Sequence, residues 1–178
     1  MMKRYLFSLV FISLLIVSGC GYTTTGCTLP SYMKKINVEK FENDINFSSE
    51  SQRNVYLPLL EVNVRNAVVN RFLFDGNLKI SDDPAMADLV LSGKLKNYER
   101  GGLRYTDNED VQEYRIYITV AIQLLDKRDN TVVWKEDNFT GEATYFVTGP
   151  QATTEEGAVT KAIDDLARRI VERTIENW

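Results

Sequence analysis

The sequence contains no histidine and only two cysteines among its 178 residues. Without histidine, the chain cannot form a Ser-His-Asp or Cys-His catalytic group, and it lacks the side chain that most often binds metals. A lone thiol would also have no neighbouring base to activate it. We therefore expect no catalytic residues, no metal site and no cofactor.

The first residues have the order of a bacterial signal peptide. Lys3 and Arg4 precede an apolar run at residues 6–17, which is too short to cross a hydrocarbon core about 30 Å thick. Residues 17–20 close the run with Val-Ser-Gly-Cys, and this order resembles the lipobox of bacterial lipoproteins. We expect residues 1–19 to be a leader that is cleaved before Cys20. An ordinary secretory leader with a chance cysteine is the alternative.

The lipobox resemblance implies a lipid anchor. In such proteins the cysteine thiol carries a diacylglycerol unit and the new N-terminus is acylated, which makes Cys20 the predicted attachment site for palmitate-type chains. Several acyl chains give durable membrane attachment, whereas one chain alone is marginal. Gly21 stands where an aspartate would favour retention in the inner membrane, so we expect the outer membrane. Cys27 is then expected to be a free or partly buried thiol, with an intermolecular disulfide as the alternative.

The charge and the length restrict the remaining classes. The formal net charge is −4, and removal of the predicted leader would take away two further positive charges. A net acidic chain argues against a nucleic-acid partner, although a local basic patch could still contact a phosphorylated ligand. Residues 20–34 are predicted to be a lipidated N-terminus and tether, and residues 35–178 a single domain without internal repeats.

Two amphipathic helices are predicted. The first begins between Asn54 and Pro58, after a polar loop, and ends at Gly76, which can adopt the left-handed C-cap conformation. The second begins at Thr153 or Thr154, whose hydroxyls can cap it. Both have apolar residues at steps of three and four. These are Leu60, Val64, Ala67, Val68 and Phe72 in the first helix, and Val159, Ala162, Ile163, Leu166, Ala167, Ile170, Val171 and Ile175 in the second.

Alternating apolar and polar residues predict the strands. The predicted strands lie at residues 36–41, 78–80, 88–100, 113–125 and 132–147. Gly101 and Gly102 are interpreted as a turn or a flexible tip that extends to about Asp110, and Gly141 as a bulge.

This order of elements predicts an α+β fold. Two helices would pack on one face of a mostly antiparallel or mixed sheet of four to five strands, which makes a two-layer sandwich. The second face of the sheet would then be available to contact something else.

Several short motifs, taken in order, resemble the LptE-like family of lipopolysaccharide-assembly lipoproteins. They are the lipobox with Gly21-Tyr22, Leu29-Pro30, the strand from Lys35 to Asn43 that ends in Phe-x-Asn, residues 87–93 (ADLVLSG), residues 113–116 (EYRI) and a C-terminal helix ending in Trp178. The resemblance implies two helices against a mostly antiparallel sheet. It also implies a protein that sits in the lumen of the LptD β-barrel, helps the barrel to assemble and contacts lipopolysaccharide, without making or breaking a bond.

The phosphates of lipopolysaccharide require cationic partners, so the candidate contacts are sought on the polar face of the two clearest strands. They are Lys94, Lys96 and Arg100 on one strand, Arg115 and Tyr117 on the other, and Arg104 in the predicted tip. An ordinary solvated sheet face is the competing explanation for each of them. Trp134 and Trp178 are candidates for a partner contact, with a core position as the alternative for Trp134.

Other functions fit the same composition. An activator of a peptidoglycan synthase typically needs a long tether, whereas roughly 15 residues reach at most about 50 Å. A secretion-channel subunit would need a lipid-facing hairpin, and in residues 111–147 the side chains of Glu136, Asp137 and Glu142 make that costly. A hydrolase that uses only carboxylates would depend on Asp82-Asp83 or Asp164-Asp165, which are interpreted as a solvated turn and the polar side of a helix.

Overall fold

The computed structural model describes residues 29–45 and 57–176. The predictions for the leader, for Cys20 and Cys27, for most of the polar loop before the first helix and for Trp178 lie outside these residues. The elements of the described part are β1 (Lys35–Val38), β2 (Glu42–Asn43), α1 (Leu60–Asp75), β3 (Lys79–Ile80), a 3-10 helix (Pro84–Met86), β4 (Leu89–Tyr105), β5 (Val111–Asp126), β6 (Thr131–Phe146) and α2 (Glu155–Glu176).

The strands form one mixed sheet. Its order is β3-β1-β4-β5-β6, and the short β2 pairs with β4 beyond the end of β1, so that six strands take part. The strands β1, β3 and β2 belong to parallel pairs, whereas β4, β5 and β6 form an antiparallel meander. The predicted two-layer α+β fold is confirmed.

The two helices pack side by side on one face of this sheet. The side chains of α1 that face the core are Leu60, Val64, Val68 and Phe72. Gly76 ends α1 with φ 78°, and its N–H donates to the Phe72 carbonyl at 3.0 Å, as predicted. The helix begins at Leu60, later than predicted, because Leu59 has a left-handed backbone with φ 61° that does not continue a helix toward Pro58.

The second helix has a side-chain cap. The Thr154 hydroxyl accepts a hydrogen bond from the Gly157 N–H at 3.1 Å, which satisfies one of the N–H groups that the first turn leaves without a helical partner. The apolar stripe of α2 then packs on β5 and β6. Trp134 is 7% exposed and belongs to this core, which agrees with the core alternative for that residue.

Gly101 and Gly102 do not form a turn. β4 runs through both glycines to Tyr105, and they pair with Arg115 and Tyr114 of β5. The turn lies at residues 106–110 instead. A Cβ at position 102 would meet only the Tyr105 hydroxyl end, and that side chain is exposed and can turn away. The prediction of a tip beginning at Gly101 was wrong.

Gly141 is not a bulge. It pairs in register with Ile118, and the nearby irregularity lies between the pairs formed by Val120 and Ile122. A Cβ at position 141 would lie 2.5 Å from the Leu166 Cβ and 2.6 Å from the Ala162 carbonyl oxygen. Glycine is therefore required here because α2 crosses β6 at backbone distance.

Candidate functional site

The sheet face opposite the helices is not covered by any element of the described chain. In β5, buried residues alternate with half-buried ones that point to this second side. Cross-strand partners in an antiparallel sheet share a face, so the register defines the rest of it. We call this surface the open face; it consists of Ser92, Lys94, Asn97, Glu99, Arg115, Tyr117, Thr119, Ala121, Gln123, Lys135, Thr140, Glu142 and Thr144.

Lys94 and Lys96 lie at the β2 side of the open face. Lys94 is 2.5 Å from Glu42, its register partner on β2, and Lys96 is 2.5 Å from Asp44. The hydrogen bond from Lys96 lowers the pKa of Asp44, and the bond to Glu42 raises the pKa of Lys94. All four side chains are well exposed. Exposed pairs of this kind are weak, so a phosphate can displace the carboxylates.

A β-bulge at Lys96 changes the face of every later residue on β4. The register skips from Leu95 to Asn97, after which Arg100 pairs with Ile116, a fully buried residue of the helix side. The prediction that Arg100 lies on the polar face was therefore wrong. A one-residue insertion in a strand moves all following side chains to the other face.

Arg100 is instead part of a cluster around Glu155, the first residue of α2. Its guanidinium forms an ion pair with the Glu155 carboxylate and lies over the Tyr114 ring at 5.0 Å. The Tyr98 hydroxyl donates to Glu155 at 2.9 Å and the Tyr145 hydroxyl donates at 3.4 Å. Burial, followed by the bond to Glu155, raises the pKa of Tyr98 far above its ordinary value. The cluster joins the meander to the start of α2.

Arg115 and Tyr117 lie near the middle of the open face. The Arg115 guanidinium donates to the Tyr117 hydroxyl at 3.3 Å and lies 3.8 Å from Glu142 on β6. The bond to Tyr117 is the main reason that the pKa of Arg115 is raised. Its Nε has no hydrogen-bond partner among the described residues. That nitrogen is buried, so a ligand would contact Arg115 through the exposed part of its guanidinium, beside the loosely held Glu142.

Arg104 lies near the hairpin tip. Its Nε is 3.7 Å from Glu113, and its guanidinium lies over the Phe146 ring at 5.5 Å. Since Glu113 shares the alternation of Arg115, Arg104 belongs to the same side of the sheet as Arg115. The structure therefore places all the predicted contact residues except Arg100 on one side.

Sequence reasoning missed Lys135. This residue pairs with Gln123 and faces Lys94 across a shallow groove of about 500 Å³, whose floor includes Ser92 and Ala121. Lys135 also forms an ion pair with Asp137 at 2.9 Å. Its alternation with the apolar Trp134 is visible in the sequence, but the irregular register of β6 obscures which face it takes.

One carboxylate of each pair considered for catalysis has a structural role. Asp83 accepts the Ala85 N–H at 2.8 Å and caps the 3-10 helix. Asp165 accepts the Glu142 N–H at 3.2 Å and forms an ion pair with Arg168 at 2.6 Å. Within residues 29–45 and 57–176, no cluster of acidic residues or cysteines has the grouping that a metal ion needs. None of the helices in these ranges combines the length and apolarity required to span a membrane.

Comparison with known proteins gives one family. The family model for lipopolysaccharide-assembly, LptE, matches residues 33–174. No curated protein matches the chain. Among solved structures, the hypothetical protein CT253 from Chlamydia trachomatis is 15% identical, with a TM-score of 0.52 over 79% of this chain and 95% of that chain.

Two further solved structures have similar coverage. Protein XCC0632 from Xanthomonas campestris is 15% identical, with a TM-score of 0.51 over 82% of this chain and 88% of that chain. The rare lipoprotein B from Shewanella oneidensis is 17% identical, with a TM-score of 0.41 over 78% of this chain and 92% of that chain. The similarity to CT253 and XCC0632 shows a shared fold.

Proposed function

Because the chain belongs to the LptE family of lipopolysaccharide-assembly proteins, we propose that it partners an LptD-type β-barrel as plug and assembly factor in lipopolysaccharide transport. Cys20 carries the lipid that holds the chain on the outer membrane, either on its periplasmic side or with the domain inside the barrel lumen. The role requires no catalysis, no metal and no cofactor.

The observation that carries this proposal is the open face. β4, β5 and β6 have 17, 16 and 16 residues, which extends the meander over roughly 50 Å. One side of it is closed by the helices, and the other side presents amides, hydroxyls and paired charges. The lumen of an outer-membrane barrel is polar as well, so a long polar sheet face can pack against its wall without burying unpaired charge.

The same face supplies cations for the phosphates of lipopolysaccharide. Arg115 is the strongest candidate because its side chain is partly exposed and its ion pair with Glu142, at 3.8 Å, is long. Lys94 and Lys96 would exchange their exposed carboxylate partners for phosphate oxygens. Tyr117, next to Arg115, and Arg104, near the hairpin tip, would contribute further contacts to the phosphates. Arg100 is the weakest candidate because Glu155 already holds it.

The secretion-channel alternative fits the structure less well. The segment considered for a lipid-facing hairpin, residues 111–147, forms β5 and β6, whose inner side packs under α2. Glu136 points to this inner side and pairs with Arg173 of α2 at 3.0 Å. Insertion of the hairpin into lipid would expose the core, so this alternative requires a different fold of the same segment.

A photocrosslinking amino acid at Thr119, in the centre of the open face, tests the proposal in intact cells. We expect a crosslink to a large β-barrel protein or to lipopolysaccharide. The matched control is the same amino acid at Lys161, an exposed position on the outer side of α2, and we expect a lower yield there. A crosslink from Thr119 to a peptidoglycan synthase or to a second copy of the chain would contradict the proposal.

A further inference from the structure

Residues 29–34 are fastened at one end of the sheet, where β1, β3 and β4 begin and β5 ends. The Tyr32 hydroxyl donates to the Asp126 carboxylate at 2.9 Å, and the Arg128 guanidinium lies over the Tyr32 ring at 4.0 Å. Met33 is 5% exposed and packs in the core. The direction from which the chain enters the domain is therefore fixed by contacts with the β5–β6 turn.

Five exposed cations surround this entry point; we call them the entry cluster, and they are Lys34, Lys35, Lys79, Lys127 and Arg128. Lys35 and Lys79 are register partners on neighbouring parallel strands, and two like charges at such positions repel one another. None of the five forms an ion pair with an acidic side chain in the described part of the chain.

The acidic residues at this end are engaged by the backbone. The Asp88 carboxylate accepts the N–H groups of Lys34 at 2.9 Å and Lys35 at 2.8 Å. Asp126 accepts the Arg128 N–H at 2.9 Å, and Asp129 accepts the Thr131 N–H at 3.3 Å. These carboxylates fix the loops that carry the cations. The four lysines remain exposed without an acidic partner in the described part of the chain, whereas the Arg128 guanidinium also donates to the Tyr32 hydroxyl at 3.2 Å. Exposed cations without acidic partners can bind an anion from outside the chain.

We propose that the entry cluster binds the anionic headgroups of the membrane that carries the chain. The proposal rests on the lipid anchor at Cys20 in the proposed function. Cys20 is nine positions before Leu29, and that length of chain reaches at most roughly 30 Å, so the entry end is the part of the domain nearest to the bilayer. Binding there orients the meander, with the entry end at the headgroups and the hairpin tip directed away from them.

Amine footprinting of the full lipidated chain in vesicles tests this inference without any substitution. The chain is reconstituted into phosphatidylcholine alone or into phosphatidylcholine mixed with phosphatidylglycerol, and acylation of each lysine is followed by mass spectrometry. One cation near an anionic surface contributes about fivefold to binding. We therefore expect the labelling rates of Lys34, Lys35, Lys79 and Lys127 to fall about fivefold with phosphatidylglycerol, and to recover at high salt.

Lys40 and Lys161 are the internal controls, because both are exposed and neither belongs to the entry cluster. Their labelling should be the same in both kinds of vesicle. Equal labelling of the entry cluster in both, or equal protection of the controls, would overturn the inference.

Flotation of the same samples separates this inference from the lipid anchor. A chain that is anchored through Cys20 floats with both kinds of vesicle. A chain without an anchor should still float with the phosphatidylglycerol vesicles if the entry cluster binds headgroups. Flotation of the chain with both kinds of vesicle, together with equal labelling of the entry cluster in both, would reject the entry cluster and leave the anchor standing.

Discussion

Arg100 and Glu155 form an ion pair that joins β4 to the first turn of α2, on the side of the sheet opposite to Lys94. Their side chains are 33% and 26% exposed, so the pair is partly shielded from water. The negative charge of Glu155 also lies at a helix N-terminus, where the helix dipole favours it. With the hydroxyls of Tyr98 and Tyr145, this pair fixes the meander against the helix layer and leaves the open face uncovered.

Glu155→Gln is expected to lower the free energy of unfolding by about 1–2 kcal/mol, because it removes a charge-assisted hydrogen bond and weakens a second bond from Tyr98. Glu156→Gln is the matched control: its side chain is exposed in the same helical turn, and the change should stay within about 0.5 kcal/mol. Urea unfolding measures both variants. Equal decreases in the free energy of unfolding for the two variants would show that Glu155 acts only through the helix dipole.

Stability should decrease in alkali, and Tyr98 should contribute to the decrease. Burial and the bond to Glu155 raise the pKa of Tyr98 above its ordinary value of 10.0. The unfolded chain therefore loses this proton first, and the contribution that is present below pH 10 is lost as the pH rises above it. Tyr98→Phe should make the decrease above pH 10 less steep in thermal unfolding curves. An unchanged slope would show that the Tyr98 hydroxyl titrates alike in both states.

Gly141→Ala should destabilise the fold by about 1–3 kcal/mol, because the new methyl group would press on the backbone of α2. The methyl position is 2.6 Å from the Ala162 carbonyl oxygen, and neither backbone can move without disturbing the layer. Gly101→Ala is the control, since a Cβ at that position has no atom within 4 Å. Chemical unfolding should show a large difference between the two variants, and equal midpoints would contradict the close crossing of α2 over β6.

Arg115→Gln should weaken the binding of purified lipopolysaccharide about tenfold, the effect of one lost charge-assisted hydrogen bond. Arg168→Gln removes an arginine of the helix layer that is held by Asp165 and Glu172, and it should bind as the unmodified chain does. Binding is measured by titration of a fluorescent lipopolysaccharide at constant salt. If both variants bind like the unmodified chain, the open face does not hold the phosphates.

The elements with strong periodicity were predictable from the sequence. The alternation in β5 and the stripes of the two helices give unambiguous faces, since one face of each is almost entirely apolar. The strand β4 was predictable only as far as Leu95. A bulge adds one residue without any mark in the sequence, so the face of Arg100 could not be read from spacing.

Glycine was the other source of error. Gly141 was interpreted from the conformational freedom of its backbone, yet it serves to admit the α2 backbone. This contact joins segments that are distant in sequence, and local patterns do not contain it. The same holds for the partners of Lys94 and Lys96, which come from the two-residue strand β2 and the residue after it.

Purification of the tagged, lipidated chain from outer membranes in mild detergent, followed by mass spectrometry, tests the central claim most directly. The account predicts a stable one-to-one complex with a large LptD-type β-barrel. Recovery of a peptidoglycan synthase, of a homo-oligomer or of the chain alone would contradict the proposed partnership.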